Sequence, residues 1–265
     1  MAARFLHVSD LHVGKDEEVE TAAALARLVE EIGPQLVVAS GDLTHRGTRA
    51  QHERAAELLR ALGPPVLAVP GNHDVPYRVP ARLVRPWAEF ERVWETTQPT
   101  FEAPGLHVVG LNSVRPLRQQ GGALSSAQLA DAAARLAEAE PGALRVAVLH
   151  HHLVGAPWRA ARKRPVSHRN RVLRALVEAG ADLILAGHIH QSAVSERHEF
   201  EVVGDEARTT VVAVAPGLGR PRPRRLGEAL GLHAIEADDG AIAVRTYVWS
   251  AAGDWKLAAE RRFPR

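Results

Sequence analysis

Short runs of aliphatic residues alternate along the first 190 residues with segments in which apolar positions recur every three or four residues. Six runs have the length of strands: Arg4 to Val8, Leu36 to Ser40, Val66 to Val69, Leu106 to Leu111, Arg145 to Leu149 and Leu183 to Ala186. Five segments have helical periodicity: Val19 to Ile32, Thr48 to Leu62, Ala81 to Glu95, Ser125 to Glu138 and His168 to Glu178. This alternation is typical of βαβ units and predicts an α/β domain with a largely parallel sheet.

The pattern changes after Gln191, where strands follow one another without helices between them. Four strands are predicted there: Val194 to Val203, Thr209 to Ala215, Leu230 to Glu236 and Ala241 to Trp249. Asp238-Asp239-Gly240 predicts a hairpin between the last two. Residues 191–265 are therefore expected to form mainly a second, antiparallel sheet. The whole chain, residues 1–265, is interpreted as one domain, with Pro76 to Thr100 as a possible cap over the strand ends.

Composition narrows the possible partners and ligands. No apolar run reaches the length of a membrane span, so we expect a soluble, cytoplasmic protein. The chain has no cysteine, so any metal must be held by His, Asp, Glu or Asn. The formal net charge is only +2, and the arginine clusters at 159–164, 169–174 and 220–225 are interpreted as solvated faces rather than nucleic-acid patches. A small-molecule partner is therefore favoured over nucleic acid.

Polar side chains that can bind metals follow five of the six predicted strands. They are Asp10, His12, Asp42, Asn72, His73, Asp74, His150, His188 and His190. Each has an ordinary explanation when taken alone, such as a helix cap for Asp10 or a turn for Asp42. His188 and His190 are a stronger pair, because alternate residues leaving a strand project to the same side. Loops at the carboxyl ends of parallel strands converge, so we expect these side chains to meet in one site.

The donor set consists of carboxylates, one amide and several imidazoles, without sulfur. These ligands suit borderline divalent metals such as Mn²⁺, Fe²⁺, Zn²⁺ or Co²⁺. Their number exceeds what one tetrahedral zinc ion needs. Two metals about 3.5–4 Å apart that share a carboxylate fit the inventory better, and such pairs catalyse in-line displacement at phosphorus.

The spacing of these residues resembles that of a known superfamily. The blocks Asp10-x-His12, Gly41-Asp42, Gly71-Asn72-His73-Asp74, His150 and Gly187-His188-x-His190 are similar, in order, to the five blocks of the calcineurin-like metallophosphoesterases. The resemblance spans the stretch from Arg4 to His190. It implies a four-layer αββα sandwich, in which helices flank two mixed β-sheets.

The resemblance also implies a role for each residue. Three residues would hold the first metal: Asp10, His12 and His190. Three others would hold the second metal: Asn72, His150 and His188. Asp42 would bridge two ions of manganese, iron (Fe²⁺ or Fe³⁺) or zinc. His73 would stand beside the scissile phosphate as a general acid or charge stabiliser, oriented by Asp74.

Three further residues are candidates for contacts with substrate. Many relatives have an acid three residues after the bridging aspartate, where this chain has His45. His45 could approach a metal or a phosphate oxygen, although a hydrogen bond that anchors its loop is the favoured interpretation. Arg115 could clamp a phosphate or be a solvated loop charge. Among three consecutive histidines, His150 is the predicted ligand, His151 could face substrate or support a ligand, and His152 is predicted to be structural or exposed.

Within the superfamily, the Ser-Asp-Leu-His opening and the Gly-Asp-Leu-Thr block are most similar to bacterial class III cyclic nucleotide phosphodiesterases. The resemblance implies that a hydroxide bridging two metals attacks a small phosphodiester, for which a 3′,5′-cyclic nucleotide is one candidate. The alternatives are a nuclease, or a phosphomonoesterase or nucleotide-pyrophosphate hydrolase on the same core. A non-catalytic scaffold is disfavoured, because such members typically lose ligands and this chain has every expected type.

Overall fold

A computed structural model describes residues 3–14, 19–118, 120–154, 163–198, 209–219 and 229–265. The strands are β1 (Ala3–Val8), β2 (Leu36–Ala39), β3 (Val66–Ala68), β4 (Thr100–Ala103), β5 (Leu106–Gly110), β6 (Leu144–Val148), β7 (Leu183–Ala186), β8 (Ala193–His198), β9 (Thr209–Val214), β10 (Gly231–Ala237), β11 (Ala241–Trp249) and β12 (Trp255–Pro264). The helices are α1 (Val19–Ile32), α2 (Arg49–Arg60), α3 (Ala81–Val84), α4 (Ala88–Trp94), α5 (Ser126–Ala137) and α6 (Arg169–Glu178).

Within these ranges the strands form two mixed sheets. The first has the order β12-β11-β10-β1-β2-β3, and the second has the order β4-β5-β6-β7-β9-β8. Strands β1, β2 and β3 are parallel, whereas β10, β11 and β12 pair antiparallel. Strands β5, β6, β7 and β9 are parallel, with antiparallel β4 and β8 at the edges.

The strands that follow Gln191 do not form a sheet of their own, so that prediction for residues 191–265 is corrected. Strands β8 and β9 extend the second sheet, and β10 to β12 extend the first. The six strands predicted before Gln191 are likewise divided between the sheets, three to each. Hydrophobic alternation indicates that a segment is a strand but does not specify its partner. Strands β4 and β12 were not predicted, because their edge positions leave most of their side chains exposed or half-exposed.

The two sheets pack face to face, and helices cover both outer faces. The core between the sheets includes Phe5 and Val38 from the first sheet and Val146 from the second. Separate cores lie beneath α1, α2 and α4 on one side and beneath α5 and α6 on the other. The predicted αββα sandwich is confirmed. No helix in the described ranges has the length and apolarity needed to cross a bilayer.

The helix predicted from Ala81 to Glu95 is two shorter helices. Helix α3 ends at Val84 and α4 begins at Ala88, with Pro86 between them. Proline restricts the residue before it and lacks a backbone donor, which interrupts a helix at this point. Phe90 on α4 packs into the core beneath the helices, and a cap formed by residues 76–100 stays a prediction.

Candidate metal centre

The predicted ligand loops meet at the seam between the two sheets. Strands β1, β2 and β3 of the first sheet and β6 and β7 of the second each end at this point. His150 Nδ1, from the second sheet, donates to the carbonyl oxygen of Ser40 in the first sheet at 2.8 Å. The backbone N–H of His188 donates to Asp10 Oδ2 at 2.9 Å. The site is thus built across both sheets, rather than along the edge of one parallel sheet.

Asp10, His12 and His190 form a first buried group of potential ligands, with donor atoms within 4.8 Å of one another. His190 Nε2 lies 3.1 Å from Asp10 Oδ1 and 3.3 Å from His12 Nε2. Ligands on one ion at bond lengths near 2.1 Å are separated by about 3.0–3.4 Å. His190 therefore already lies at the spacing of a neighbouring metal ligand from both other side chains, and the third pair, Asp10 Oδ1 and His12 Nε2, is slightly wider at 3.9 Å.

A second buried group contains Asp42, His150 and His188, and Asn72 adjoins it. His150 Nε2 lies 3.4 Å from Asp42 Oδ2, 3.3 Å from Asn72 Oδ1 and 3.2 Å from His188 Nδ1. Asp42 Oδ2 is also 3.9 Å from His12 Nε2 of the first group. One carboxylate oxygen therefore faces both groups.

Each of the two carboxylates has one oxygen that is anchored by hydrogen bonds and one that is not. Asp10 Oδ2 accepts from Ser9 Oγ at 2.7 Å, and Asp42 Oδ1 accepts from the backbone N–H of His73 at 2.8 Å. Asp10 Oδ1 and Asp42 Oδ2 are buried and face the imidazoles of His190 at 3.1 Å and His150 at 3.4 Å, but neither accepts a well-aligned hydrogen bond from the described residues. A buried anionic oxygen without a donor is costly, and a cation removes that cost. The donor set thus fits metal ions.

The electrostatics of the site favour the protonation states that bind metals. Burial tends to raise the pKa of Asp42, but attraction to His150 and His73 outweighs it and keeps the pKa well below its usual range. Burial lowers the pKa of both His12 and His188, which keeps these imidazoles neutral. At His150 burial acts in the same direction, but Asp42 outweighs it and raises the pKa to about 9. A divalent ion would displace that proton.

Backbone strain is concentrated at the same residues. Seven non-glycine residues in the described ranges have positive φ, and five of them are the predicted ligands Asp10, His12, Asp42, His188 and His190, with φ between 51° and 73°. A left-handed conformation costs a non-glycine residue about 1–2 kcal/mol. Such strain persists where the surrounding structure imposes it, and it is common at functional sites.

Two glycines allow the loops to approach closely. A Cβ on Gly71 would overlap the backbone nitrogen of Asp42, and a Cβ on Gly187 would overlap the hydroxyl of Ser9. The contacts that carry Asp42 and Asp10 into the site therefore require glycine at both positions. This close packing explains why glycine precedes Asn72 and His188 in the two sequence blocks.

Comparison with known proteins places this site in a family. The Calcineurin-like phosphoesterase family matches residues 3–192, which is more than half of the chain. The chain belongs to the calcineurin-like phosphoesterases. The recognition based on the five sequence blocks is confirmed. The protein is accordingly a hydrolase of a metal-dependent phosphoesterase family.

Two curated members of the family are similar over most of their length. One is the 3′,5′-cyclic adenosine monophosphate phosphodiesterase CpdA of Haemophilus influenzae, 28% identical over 223 residues, which are 77% of this chain and 76% of that protein. The other is a probable cyclic nucleotide phosphodiesterase of Synechococcus, 28% identical over 215 residues, which are 74% of this chain and 77% of that protein.

Solved structures support the fold. A purple acid phosphatase from yellow lupin superimposes with a TM-score of 0.74 at 13% identity, covering 100% of this chain. This chain spans 54% of the lupin protein. GAP50 of Plasmodium superimposes with a TM-score of 0.63 at 14% identity, covering 99% of this chain and 89% of that chain. At these identities the likeness concerns the fold alone.

His73 lies beside the first ligand group, with its ring centroid 4.7 Å from that of His12. The expected orienting contact from Asp74 is not made. His73 Nδ1 lies 2.9 Å from the carbonyl oxygen of His45 and 3.1 Å from the hydroxyl of Tyr77. The Asp74 carboxylate instead accepts from the backbone N–H groups of Gly71, Leu43 and Thr44 and from the Thr44 hydroxyl. Asp74 therefore holds the loops together rather than the ring.

His151 and His152 are both buried beside the ligands. His151 Nδ1 lies 2.9 Å from Ser113 Oγ, which also accepts from the His151 backbone N–H at 3.2 Å. The rings of His151 and His152 lie 4.7 Å and 5.8 Å from that of His188. These contacts agree with a supporting role for His151. His152 is not exposed, since only 3% of its surface is accessible.

Arg115 is attached to a neighbouring helix. Its guanidinium donates to Gln128 Oε1 at 3.0 Å, and Gln128 is part of the capping box with Ser125 at the start of α5. This contact favours the structural interpretation of Arg115 over a phosphate clamp. Sequence reasoning missed Tyr77, Ser113 and Ser40, because a hydroxyl or carbonyl that supports a histidine from another loop has no sequence spacing of its own.

Proposed function

We propose that this protein is a dinuclear metal-dependent phosphodiesterase that hydrolyses a 3′,5′-cyclic nucleotide. The observation that carries the dinuclear part is the position of Asp42 Oδ2, which lies 3.9 Å from His12 Nε2 of the first group and 3.4 Å from His150 Nε2 of the second. The substrate class is supported by the two curated relatives, which are named as cyclic nucleotide phosphodiesterases.

The metal ligands are divided between the two groups. Asp10, His12 and His190 would hold one ion, and Asn72, His150 and His188 would hold the other. Asp42 would contribute to both. Manganese, iron or zinc suits these oxygen and imidazole donors. When bound, the two ions supply an activated water molecule and neutralise charge on the phosphoryl group.

His73 assists departure of the leaving alcohol. Since a carbonyl only accepts, the short contact with His45 means that Nδ1 carries a proton and donates a hydrogen bond to that oxygen. In the imidazolium form of His73 the second proton is on Nε2, which delivers it to the leaving oxygen and becomes the neutral nitrogen of the ring. The contact with Tyr77 holds the ring from the same edge.

The metal part of this proposal is tested with Asp42→Asn. We expect both metal content and kcat/KM to fall, the latter by more than about a hundredfold, because even residues that only support ligands contribute 10–100-fold. Metal content is measured by mass spectrometry on the purified protein. Asp131→Asn is the control, because Asp131 is an exposed residue paired with Arg135. Full activity with two bound metals in Asp42→Asn would contradict the proposal.

The substrate part needs a separate experiment. The reconstituted enzyme is assayed on cyclic nucleotides, glycerophosphodiesters, a nucleotide pyrophosphate, single-stranded DNA and an aryl phosphomonoester. We expect the highest kcat/KM for a cyclic nucleotide. A higher value for any other class would assign a different substrate while leaving the metal proposal intact.

A further inference from the structure

A third group of potential ligands lies beside the two already described. His12, His45 and His73 have donor nitrogens that all lie within 4.8 Å of one another. The rings of His45 and His73 are nearly parallel, at 25°, with their centroids 5.8 Å apart. His12 presents its ring edge to His73 at 4.7 Å and lies 6.2 Å from His45. Three imidazoles thus converge without a carboxylate.

His73 has a nitrogen available for coordination. Its Nδ1 proton is directed at the carbonyl oxygen of His45. The lone pair of a neutral His73 is therefore on Nε2, which is also the atom that the proposed reaction uses. Both His45 and His73 are partly exposed. An ion in solution can accordingly reach them.

The chemistry of the group selects a class of cation. Imidazole without carboxylate favours zinc and copper over manganese and magnesium. Neighbouring nitrogens on tetrahedral zinc are about 3.3 Å apart, given Zn–N bonds of about 2.0–2.1 Å.

We propose that His45 and His73 form an inhibitory site for a third, borderline divalent cation, for which Zn²⁺ is the probe. The inhibitory effect rests on the proposed function, because the added ion occupies the His73 nitrogen that protonates the leaving group. In the metal-loaded enzyme His12 belongs to the first ligand group, so His45 and His73 are the protein ligands left for the added ion. Water or a phosphate oxygen completes its coordination.

The test begins with enzyme reconstituted with Mn²⁺. Wild type and His45→Asn are dialysed against increasing Zn²⁺, and total metal per chain is measured together with the rate. We expect wild type to gain a third ion as it loses activity. His45→Asn is expected to keep two ions, with a zinc inhibition constant raised by about tenfold or more. Inhibition is expressed relative to the zinc-free rate of each variant.

The controls separate this site from simple metal exchange. If zinc only replaces catalytic manganese, the total stays at two ions per chain. Equal inhibition of wild type and His45→Asn with two bound ions would therefore overturn the proposal. A third ion retained by His45→Asn would place the site elsewhere and also overturn it. His168→Asn, which removes an exposed histidine outside the three groups, should behave as wild type. Because stoichiometry needs no turnover, failure of the proposed reaction would be recognised separately.

Discussion

At the scale of single residues, the metal centre depends on which atom of each side chain faces the ligand groups. The two ligand groups contain residues that the strand-end pattern had singled out. The pattern could not show that His188 approaches its group through Nδ1, or that Asp10 Oδ1 and Asp42 Oδ2 are the oxygens that face imidazoles of the site. Such details depend on contacts between loops far apart in the chain. The support of His73 by His45 and Tyr77 was missed for the same reason.

The assignment of His73 leads to a prediction at this scale. His73→Ala should lower kcat by about 10²–10⁴-fold, the usual contribution of a general acid. Metal content should remain at the wild-type value, because His73 is not in either proposed catalytic ligand group. Steady-state kinetics and elemental analysis measure the two quantities. Tyr77→Phe, which removes only one of the two contacts to Nδ1, should have a smaller effect. Loss of both metals in His73→Ala would show that it is a ligand.

At the scale of elements, side chains in the loop after one strand hold the histidines that follow a neighbouring strand. The loop after β5 holds His151 through Ser113, and His151 in turn packs against His188 and His150. A Cβ on Gly122 would lie 2.5 Å from His151 Cγ. The loop 120–124 therefore packs against a ring that supports two predicted ligands, His150 and His188.

Gly122→Ala should consequently weaken the second metal group. The added methyl group displaces His151, and loss of a supporting contact typically lowers metal affinity by about 10–100-fold. Competition with a chelating dye measures this affinity. Gly121→Ala is a matched control, since a Cβ there would have no neighbour within 4 Å. Equal affinities in the two variants would contradict a supporting role for His151.

At the scale of the whole molecule, the layer architecture could be predicted and the division of strands between sheets could not. The βαβ pattern and the family resemblance both indicated helices outside and sheets inside, as found. Strand β10 pairs with β11, which follows it directly, and with β1, which lies more than 220 residues earlier in the chain. Such a pairing depends on the packing of the complete core rather than on local periodicity. It also places His7 opposite His233 between the sheets.

This buried histidine pair predicts a dependence of stability on pH. Burial lowers the pKa of His233 from 6.5 to about 3. Below pH 6.5 the unfolded chain therefore binds a proton that the folded chain does not, and stability falls as pH decreases towards the folded pKa. His233→Leu should reduce this loss between pH 7.5 and 5.5, as measured by urea unfolding under identical metal conditions. His168→Leu, which replaces an exposed histidine, is the control and should keep the wild-type dependence of the free energy of unfolding on pH. The same dependence in His233→Leu as in wild type would refute the prediction.

The left-handed backbone at five predicted ligands limits how the metal centre can be removed from the fold. Each such residue costs about 1–2 kcal/mol in this conformation. Glycine would relieve that cost, but at Asp10 and Asp42 it would also remove a buried carboxylate that accepts hydrogen bonds from Ser9 and from the backbone N–H groups of His188 and His73. A buried donor left without its acceptor costs about 1–3 kcal/mol. These two carboxylates therefore hold the loops together as well as facing the metal centre, and their removal is expected to lower stability together with activity.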